Sequence, residues 1–232
     1  MNNNISELSN FLSQFMESMD NEINFFIEQI KNNLENISAY ERFCNENKDY
    51  IDSNPEKQYE FFSFAYNQYY SVFPYIVFNS LLITFDSYFE NKFTLLTEKV
   101  SISILNEFKL GKKNKSIIEM CFSHLKNKLG IQIPEKNENW TSIKNYHKIR
   151  NLIVHYNSSL SKNSSFNLPL EDILKIKEHK DYYLIKGNKY IDLKELSGKF
   201  YIIDIQLIVD YLNDIRAFMK KVIEQFRNTQ IS

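Results

Sequence analysis

Glycine and proline are scarce in this chain, which has four of each among its 232 residues. Turns and strand reversals usually need one of these two residues, so their scarcity indicates few turns and long elements. A sheet of many strands needs a turn every few residues and is therefore disfavoured. We expect an all-α fold in which long helices supply most of the structure.

Patterns that bind metals or phosphate-bearing cofactors are missing as well. The two cysteines, Cys44 and Cys121, do not have a metal-binding spacing, and no cluster of His, Cys and carboxylate residues does. The chain also has no glycine-rich phosphate loop. We therefore expect neither a metal nor a cofactor. Two isolated thiols are compatible with a reducing cytoplasm.

Targeting and membrane signals are missing too. Residues 1–4 lack the charged and apolar regions of a signal peptide. The most apolar run, residues 74–85, is too short to span a bilayer and contains Asn79 and Ser80. The net charge is −1, so there is no general basic field that would attract nucleic acid. These features predict a soluble cytoplasmic protein that does not bind membranes and that would hold nucleic acid through a local positive patch.

Helical periodicity dominates the first two thirds of the chain. Hydrophobic residues make up 43% of it, with 19 Phe and 15 Tyr, which is enough for a sizeable core. Residues 1–50 are expected to form one long N-terminal helix with at most one break, because apolar residues recur there at spacings of three and four. Its expected buried residues are Leu8, Leu12, Phe15, Met19, Ile23, Phe26, Ile30, Leu34 and Ile37.

Residues 55–156 predict the core helices. The first begins at Pro55 and runs to about Val72, where Pro74 is expected to break or kink it. The next, residues 75–96, is nearly all apolar and should be the most buried element. Another spans residues 116–129 and is ended by Gly130.

The remaining residues predict a less regular segment and a closing helix. Residues 157–200 are irregular apart from one small β-hairpin near 182–193, turning at Gly187-Asn188. Residues 201–228 predict the closing helix. We expect a single helical domain over residues 1–232. The expected buried residues of the closing helix are Ile208, Tyr211, Leu212, Ile215, Met219, Val222, Ile223 and Phe226.

The stretch of residues 140–156 predicts an amphipathic helix with a polar side that can carry chemistry. Ile149, Leu152, Ile153 and Tyr156 fall on one face, which should be buried. The opposite side is expected to carry His147, Arg150, Asn151 and His155, with Val154 as the one apolar residue among them. Asn139 is the expected cap of this helix.

Arg150 and His155 do not converge on one point of this helix. Their spacing places them roughly 140° apart around the axis and about 7.5 Å apart along it. A second copy of the helix, related by a two-fold axis, would bring one residue of each kind together. The spacing therefore predicts a homodimer with the site at the two-fold.

This stretch resembles the signature of the HEPN superfamily (higher eukaryotes and prokaryotes nucleotide-binding domains). That signature is an Arg followed by a polar residue, and then a His, with four to six residues between the Arg and the His, on a helix of an all-α domain. Here it reads Arg150-Asn151-Leu152-Ile153-Val154-His155. The resemblance implies a HEPN-like helical bundle and a metal-independent endoribonuclease that dimerises to form its site. It also implies a place in a toxin–antitoxin or abortive-infection (antiphage) system, with an antitoxin or defence protein as partner.

The resemblance also implies roles for single residues. Cleavage would proceed by attack of the ribose 2′-hydroxyl on the adjacent phosphate of RNA. Arg150 would hold the phosphate, His155 would transfer a proton, and Asn151 would bind the phosphate or fix the tautomer of the histidine. Lys144, Lys148 and His147 are candidate substrate contacts, and Glu90 is a candidate group to orient Arg150. The basic loop of residues 111–115 is a further candidate for phosphate contacts.

Two other functions remain open. The chain could be a catalytically inactive HEPN-like dimer that binds RNA, a nucleotide or a protein partner. It could also be a helical antitoxin or scaffold in which the motif is a coincidence. Loss of ribonuclease activity in His155→Ala, with folding and dimerisation retained, would separate the first reading from both of these.

Overall fold

A computed structural model describes residues 2–46, 56, 72–105, 107–109, 116–132, 137–156, 191–194, 199–202 and 205–231. Five helices and two strands account for most of these residues. In chain order they are α1 (Asn2–Glu46), α2 (Val72–Leu105), α3 (Ile117–Lys128), α4 (Glu138–Tyr156), β1 (Ile191–Lys194), β2 (Lys199–Ile202) and α5 (Gln206–Ile231). The all-α class expected from the sequence is confirmed.

The chain divides into two compact units, each assembled from separate stretches of sequence. The first unit comprises Met1–Ile23, Ile83–Lys148 and Asp210–Ser232. The second comprises Asn24–Leu82 and Ile149–Val209. Helices α1, α2, α4 and α5 therefore each contribute residues to both units. The expectation of a single domain stays a prediction.

An aromatic cluster forms the centre of the first unit. The rings of Phe122 and Trp140 stack with centroids 4.4 Å apart, and Trp140 in turn stacks on Phe218 at 5.1 Å. Phe93 meets the edge of Phe218 at 5.4 Å. Each such pair contributes about 0.5–1.5 kcal/mol beyond the burial of its area. The cluster thus fixes α2, α3, α4 and α5 against one another.

The first half of α1 packs on this unit through the predicted apolar stripe. Leu8, Leu12, Phe15, Met19 and Ile23 are all buried, as the spacing indicated. Three polar contacts fasten the same helix at its edges. They are Glu22 Oε1 with Lys92 Nζ at 2.8 Å, Asp20 Oδ1 with Arg216 Nε at 3.3 Å, and Ser13 Oγ with Arg227 Nη2 at 3.0 Å.

Helix α2 differs from the prediction at both of its ends. Pro74 lies in its first turn and does not break it, because the backbone N–H that proline lacks has no partner within a helix at that position. The helix also continues to Leu105, beyond the expected end at residue 96. Phe85, Phe89 and Phe93 are buried as expected. Ile76 lies in the segment that was expected to be the most buried, but 58% of its surface is exposed.

Helix α3 begins and ends at residues that the sequence identifies. Ser116 is the N-cap, and its side chain accepts a hydrogen bond from the backbone N–H of Glu119 at 3.4 Å. Gly130 has a φ of 66°, which glycine adopts without strain. The turn there lets Ile131 N donate to Leu125 O at 3.1 Å, which satisfies one carbonyl at the end of the helix.

The β element is small, and its first described strand overlaps the end of the expected hairpin. Strands β1 and β2 are antiparallel, with Ile191 opposite Ile202 and Lys194 opposite Lys199. Residues 199–202 were not expected to form a strand. The hairpin expected near 182–193 has its first strand and its turn outside the described residues, so it stays a prediction. The loop of residues 111–115 also lies outside the described residues. So does the helix expected from Pro55, apart from Glu56, which is helical.

Helix α5 confirms its predicted stripe in full. All eight residues expected inside are buried, and Leu207 and Phe218 join them. The helix begins at Gln206 and extends to Ile231, somewhat later at each end than expected. In the second unit, the described core includes Ile30, Phe78, Leu82, Ile202 and Ile208.

Candidate active site on helix α4

Helix α4 is capped by Asn137, two residues earlier than the position that the sequence favoured. Asn137 Oδ1 accepts from the backbone N–H of Trp140 at 3.1 Å, as an N-cap side chain does. The expectation that Asn139 is the cap is wrong. Asn139 lies inside the helix, donates to Asp214 Oδ1 at 2.8 Å and accepts from Lys221 Nζ at 3.0 Å. These bonds tie the start of α4 to α5.

The buried face of α4 agrees with the predicted stripe as far as it is described. Ile143 and Tyr146 are fully buried, and Ile149 and Leu152 nearly so. Ile153 is half-buried. Tyr146 also stacks on Tyr211 of α5 with ring centroids 4.3 Å apart. The side chain of Tyr156 lies outside the described residues.

Arg150 and Asn151 are brought together by a direct bond between their side chains. Arg150 Nη1 donates to Asn151 Oδ1 at 2.9 Å, and both residues are half-buried. Arg150 and His155 also make other interactions. His155 is exposed, and so is Val154, with 44% of its surface accessible. The predicted outer side of the helix is therefore correct at residues 154 and 155.

The prediction that His147 lies on this outer side is wrong. Its side chain is only 13% exposed, and Nδ1 lies 2.9 Å from Oδ2 of Asp86 on α2. Asp86 is 1% exposed and also accepts from the hydroxyl of Tyr211 at 2.8 Å. A carboxylate so deeply buried needs hydrogen-bond donors, and the imidazole turns inward to supply one.

One sign of this contact is visible in the sequence, namely a carboxylate inside an otherwise apolar helix. Asp86 lies between Phe85 and Phe89, where a solvated side chain is not expected. Its partners could not be named from the sequence, because His147 and Tyr211 lie 61 and 125 residues further along the chain.

Lys144, Lys148 and Glu90 are the other residues that were predicted to contact the substrate or Arg150. Lys144 is half-buried and Lys148 is exposed on α4. Glu90 is half-buried, and its charge raises the pKa of Cys121 and of Tyr211, in both cases after burial and other causes. Its expected pairing with Arg150 would join the first unit to the second and stays a prediction.

A second histidine contact, between Ser101 and His124, has a structural role. Ser101 Oγ lies 2.8 Å from Nε2 of His124 and donates to Thr97 O at 2.5 Å. Because the hydroxyl hydrogen is used by Thr97, the imidazole must donate to the serine and cannot take its proton. Burial and the charge of Lys128 lower the pKa of His124, which favours the neutral ring. Ser101 is fully buried.

The carboxyl group of Asp214 has a strongly raised pKa. Burial raises its pKa to about 6, opposed by the hydrogen bond from Asn139, and the neighbouring charge of Asp210 adds to the increase. The group lies on α5, where it contacts Asn139 at the start of α4. It affects the stability of this contact between helices α4 and α5.

Two classes of site are not found within the described residues. No group of three or more His, Cys, Asp and Glu side chains there is arranged to hold a metal ion. None of the described helices combines the length and the apolar character that a membrane crossing requires.

Comparisons with protein-family models, with curated proteins and with solved structures find no match for this chain. Its function must therefore be argued from the residues themselves.

Proposed function

We propose that this protein is a metal-independent endoribonuclease of the HEPN type, which acts as a homodimer on single-stranded RNA. The observation that carries the proposal is the hydrogen bond between the side chains of Arg150 and Asn151 on α4. His155 is exposed further along the same helix. The helical architecture supports the same conclusion, because the motif belongs on a helix of an all-α protein.

Arg150 would bind the phosphate that is attacked. Its guanidinium is always charged and presents donors in a fixed fork that matches two phosphate oxygens. The hydrogen bond to Asn151 restrains the guanidinium before substrate arrives, so less conformational freedom is lost on binding. The positive charge would also stabilise the additional negative charge of the transition state.

His155 would transfer protons during cleavage. The 2′-oxygen forms a bond to phosphorus as its proton leaves, and the bond from phosphorus to the 5′-oxygen breaks as that oxygen gains a proton. The products are a 2′,3′-cyclic phosphate and a 5′-hydroxyl, with no change in oxidation state. An imidazole suits this task because its ordinary pKa lies close to neutrality. Such a transfer typically contributes about 10²–10⁴-fold in rate.

The spacing along α4 accounts for the dimer in this proposal. On one helix, Arg150 and His155 point about 140° apart, too far to clamp a single phosphate. Two antiparallel copies that meet near Val154 would cover that exposed residue. Each Arg150 would then approach the His155 of the other copy, and Lys148 would lie beside the groove. The groove would stay hydrated, because burying like charges together is costly.

The proposed setting is a toxin–antitoxin or abortive-infection system. A nuclease that cleaves cellular RNA must be restrained in its host, so an antitoxin or another defence protein is part of the proposal. The alternatives are an inactive dimer that binds RNA, a nucleotide or a protein, and a helical antitoxin or scaffold.

The proposal is tested by incubating the purified protein with single-stranded RNA in the presence of a chelator. We expect cleavage by the wild type and its loss in His155→Ala and Arg150→Ala. Arg227→Ala, which removes an exposed arginine of α5, is the matched control and should cleave normally. Circular dichroism and light scattering establish that each variant keeps its fold and its assembly. RNA that is bound but left intact by the wild type would favour the inactive dimer.

A further inference from the structure

Burial of the Asp86 carboxylate costs free energy. Its two oxygens are used separately, since Oδ1 accepts from the Tyr211 hydroxyl at 2.8 Å and Oδ2 contacts His147 Nδ1 at 2.9 Å. Desolvating a carboxylate costs several kcal/mol, and apolar residues of similar volume often replace such groups without loss of stability. Packing of α2 against α4 alone therefore does not require an acid at this position.

The hydrogen bonds define what each partner of Asp86 does. Burial and the charge of Asp86 raise the pKa of Tyr211 well above its ordinary value, so the phenol keeps its proton and donates it. A carboxylate can only accept, so the bond to His147 requires a proton on Nδ1. In the neutral ring this places the lone pair on Nε2, which can accept or release a proton.

The hydrogen bond of His147 to Asp86 uses Nδ1 and does not use Nε2. Within the described part of the chain, Asp86 is the residue that hydrogen-bonds the imidazole, and 13% of the side chain is exposed. By the register of the continuous helix α4, His147 lies one turn before Arg150 and Asn151. Residues three and four apart are neighbours on a helix surface.

We infer that Asp86 is a positioning residue that holds His147 in the Nδ1-protonated tautomer, so that His147 serves the RNA-cleaving site as a second proton-transfer group through Nε2. This inference rests on the proposed ribonuclease function. In it, Nε2 of His147 takes the proton of the 2′-hydroxyl as the new bond to phosphorus forms. His155 gives a proton to the departing 5′-oxygen as the old bond breaks, so protons and electrons balance without a further reactant.

The tautomer can be measured without any RNA. With ¹⁵N-labelled histidine, a long-range ¹H–¹⁵N correlation distinguishes a protonated ring nitrogen from one that carries the lone pair. The chain has four histidines, and His147→Gln identifies the signals of His147 by their loss. We expect Nδ1–H in the neutral ring of the wild type and a shift toward Nε2–H in Asp86→Asn. A wild-type ring protonated on Nε2 would overturn the inference.

Kinetics then test whether the positioned imidazole acts in cleavage. We expect kcat to fall by roughly 10–100-fold in Asp86→Asn, as it does when the group that orients a metal-bound histidine is lost. A fall of about 100-fold or more is expected in His147→Gln, with KM little changed in both. The double variant should be no slower than His147→Gln alone, because the two residues act as one unit.

Tyr211→Phe is the matched control for damage to the network. It removes the other hydrogen bond to Asp86 but keeps an aromatic ring to stack on Tyr146. We expect lower stability and a kcat within a few-fold of the wild type. If Asp86→Asn does not fold, the wild-type tautomer and His147→Gln still decide the question.

The outcomes separate this inference from the proposed function. Cleavage by the wild type, with Asp86→Asn and His147→Gln equally fast, would overturn the inference and leave the ribonuclease standing. A wild type that does not cleave RNA would overturn both. Slow cleavage by both variants, with the expected tautomer, would support both.

Discussion

The interactions of single residues depend most on the tertiary structure. The pattern around Arg150, Asn151 and His155 could be recognised from the sequence because it is local to one helix. The bond between His147 and Asp86 could not, because it joins residues 61 positions apart and depends on how α2 packs against α4. A carboxylate within an apolar stretch indicates a buried partner, but periodicity does not name that partner.

Asp214 provides a prediction about pH that concerns a single carboxyl group. Its pKa in the folded protein is raised to about 6 from an ordinary 3.8, mainly by burial. A raised pKa means that the fold favours the protonated form, so its contribution to stability is complete below pH 3.8 and is lost as the pH rises through 6. Asp214→Asn should therefore gain stability relative to the wild type between pH 4 and pH 7.

The gain expected at pH 7 is about 1–2 kcal/mol, after allowance for solvent screening. Urea unfolding of both proteins at several pH values measures it as a difference, in which the other carboxyl groups largely cancel. Glu224→Gln, an exposed change on the same helix, is the control and should show no such trend. A difference between Asp214→Asn and the wild type that does not vary with pH would contradict this prediction.

The existence of the helices was easier to predict than their ends. Apolar spacing located α1, α2, α4 and α5, because each must bury one face. Their limits depend on details that spacing does not contain. Pro74 fits into a first turn, and Asn137 rather than Asn139 reaches the free N–H groups of α4. Gly130 was identified correctly, since a glycine after a helix commonly ends it.

Gly130 supplies a prediction for the end of α3. Its φ of 66° is costly for any residue with a Cβ, by about 1–2 kcal/mol. An added Cβ would meet no atom within 4 Å, so the cost of Gly130→Ala comes from the backbone alone. We expect that loss in the free energy of unfolding, measured with denaturant. Gly130→Asn should lose less, because asparagine tolerates this conformation better than alanine does; equal losses would contradict the assignment.

For the whole molecule, composition predicts the fold class but does not determine the assembly. Few glycines and prolines predicted the helical architecture. The single domain, the dimer and the partners are not determined by composition, because they depend on which surfaces meet. Val154 is the described apolar residue of α4 that is exposed beside the motif, and the proposed two-fold depends on it.

Val154→Asp tests the position of the two-fold. Two new carboxylates would meet at the axis of the proposed dimer, where like charges and lost apolar contact both oppose association. We expect a folded monomer by light scattering, with cleavage lost together with the dimer. Ile102→Asp is the matched control, since Ile102 is exposed to a similar extent, 45%, on α2. A dimeric and active Val154→Asp would place the interface elsewhere.

The central claim is a ribonuclease site shared between two copies of the chain, and mixed dimers test it most directly. Arg150→Ala and His155→Ala are each expected to be inactive. When they are unfolded together and refolded as a mixture, half of the dimers are mixed, and each mixed dimer has one site with both Arg150 and His155.

The mixture should therefore recover about one quarter of the wild-type cleavage. Mixing Arg150→Ala with the double variant restores no complete site and is the control. A mixture as inactive as its components, with mixed dimers present by mass spectrometry, would contradict the shared site.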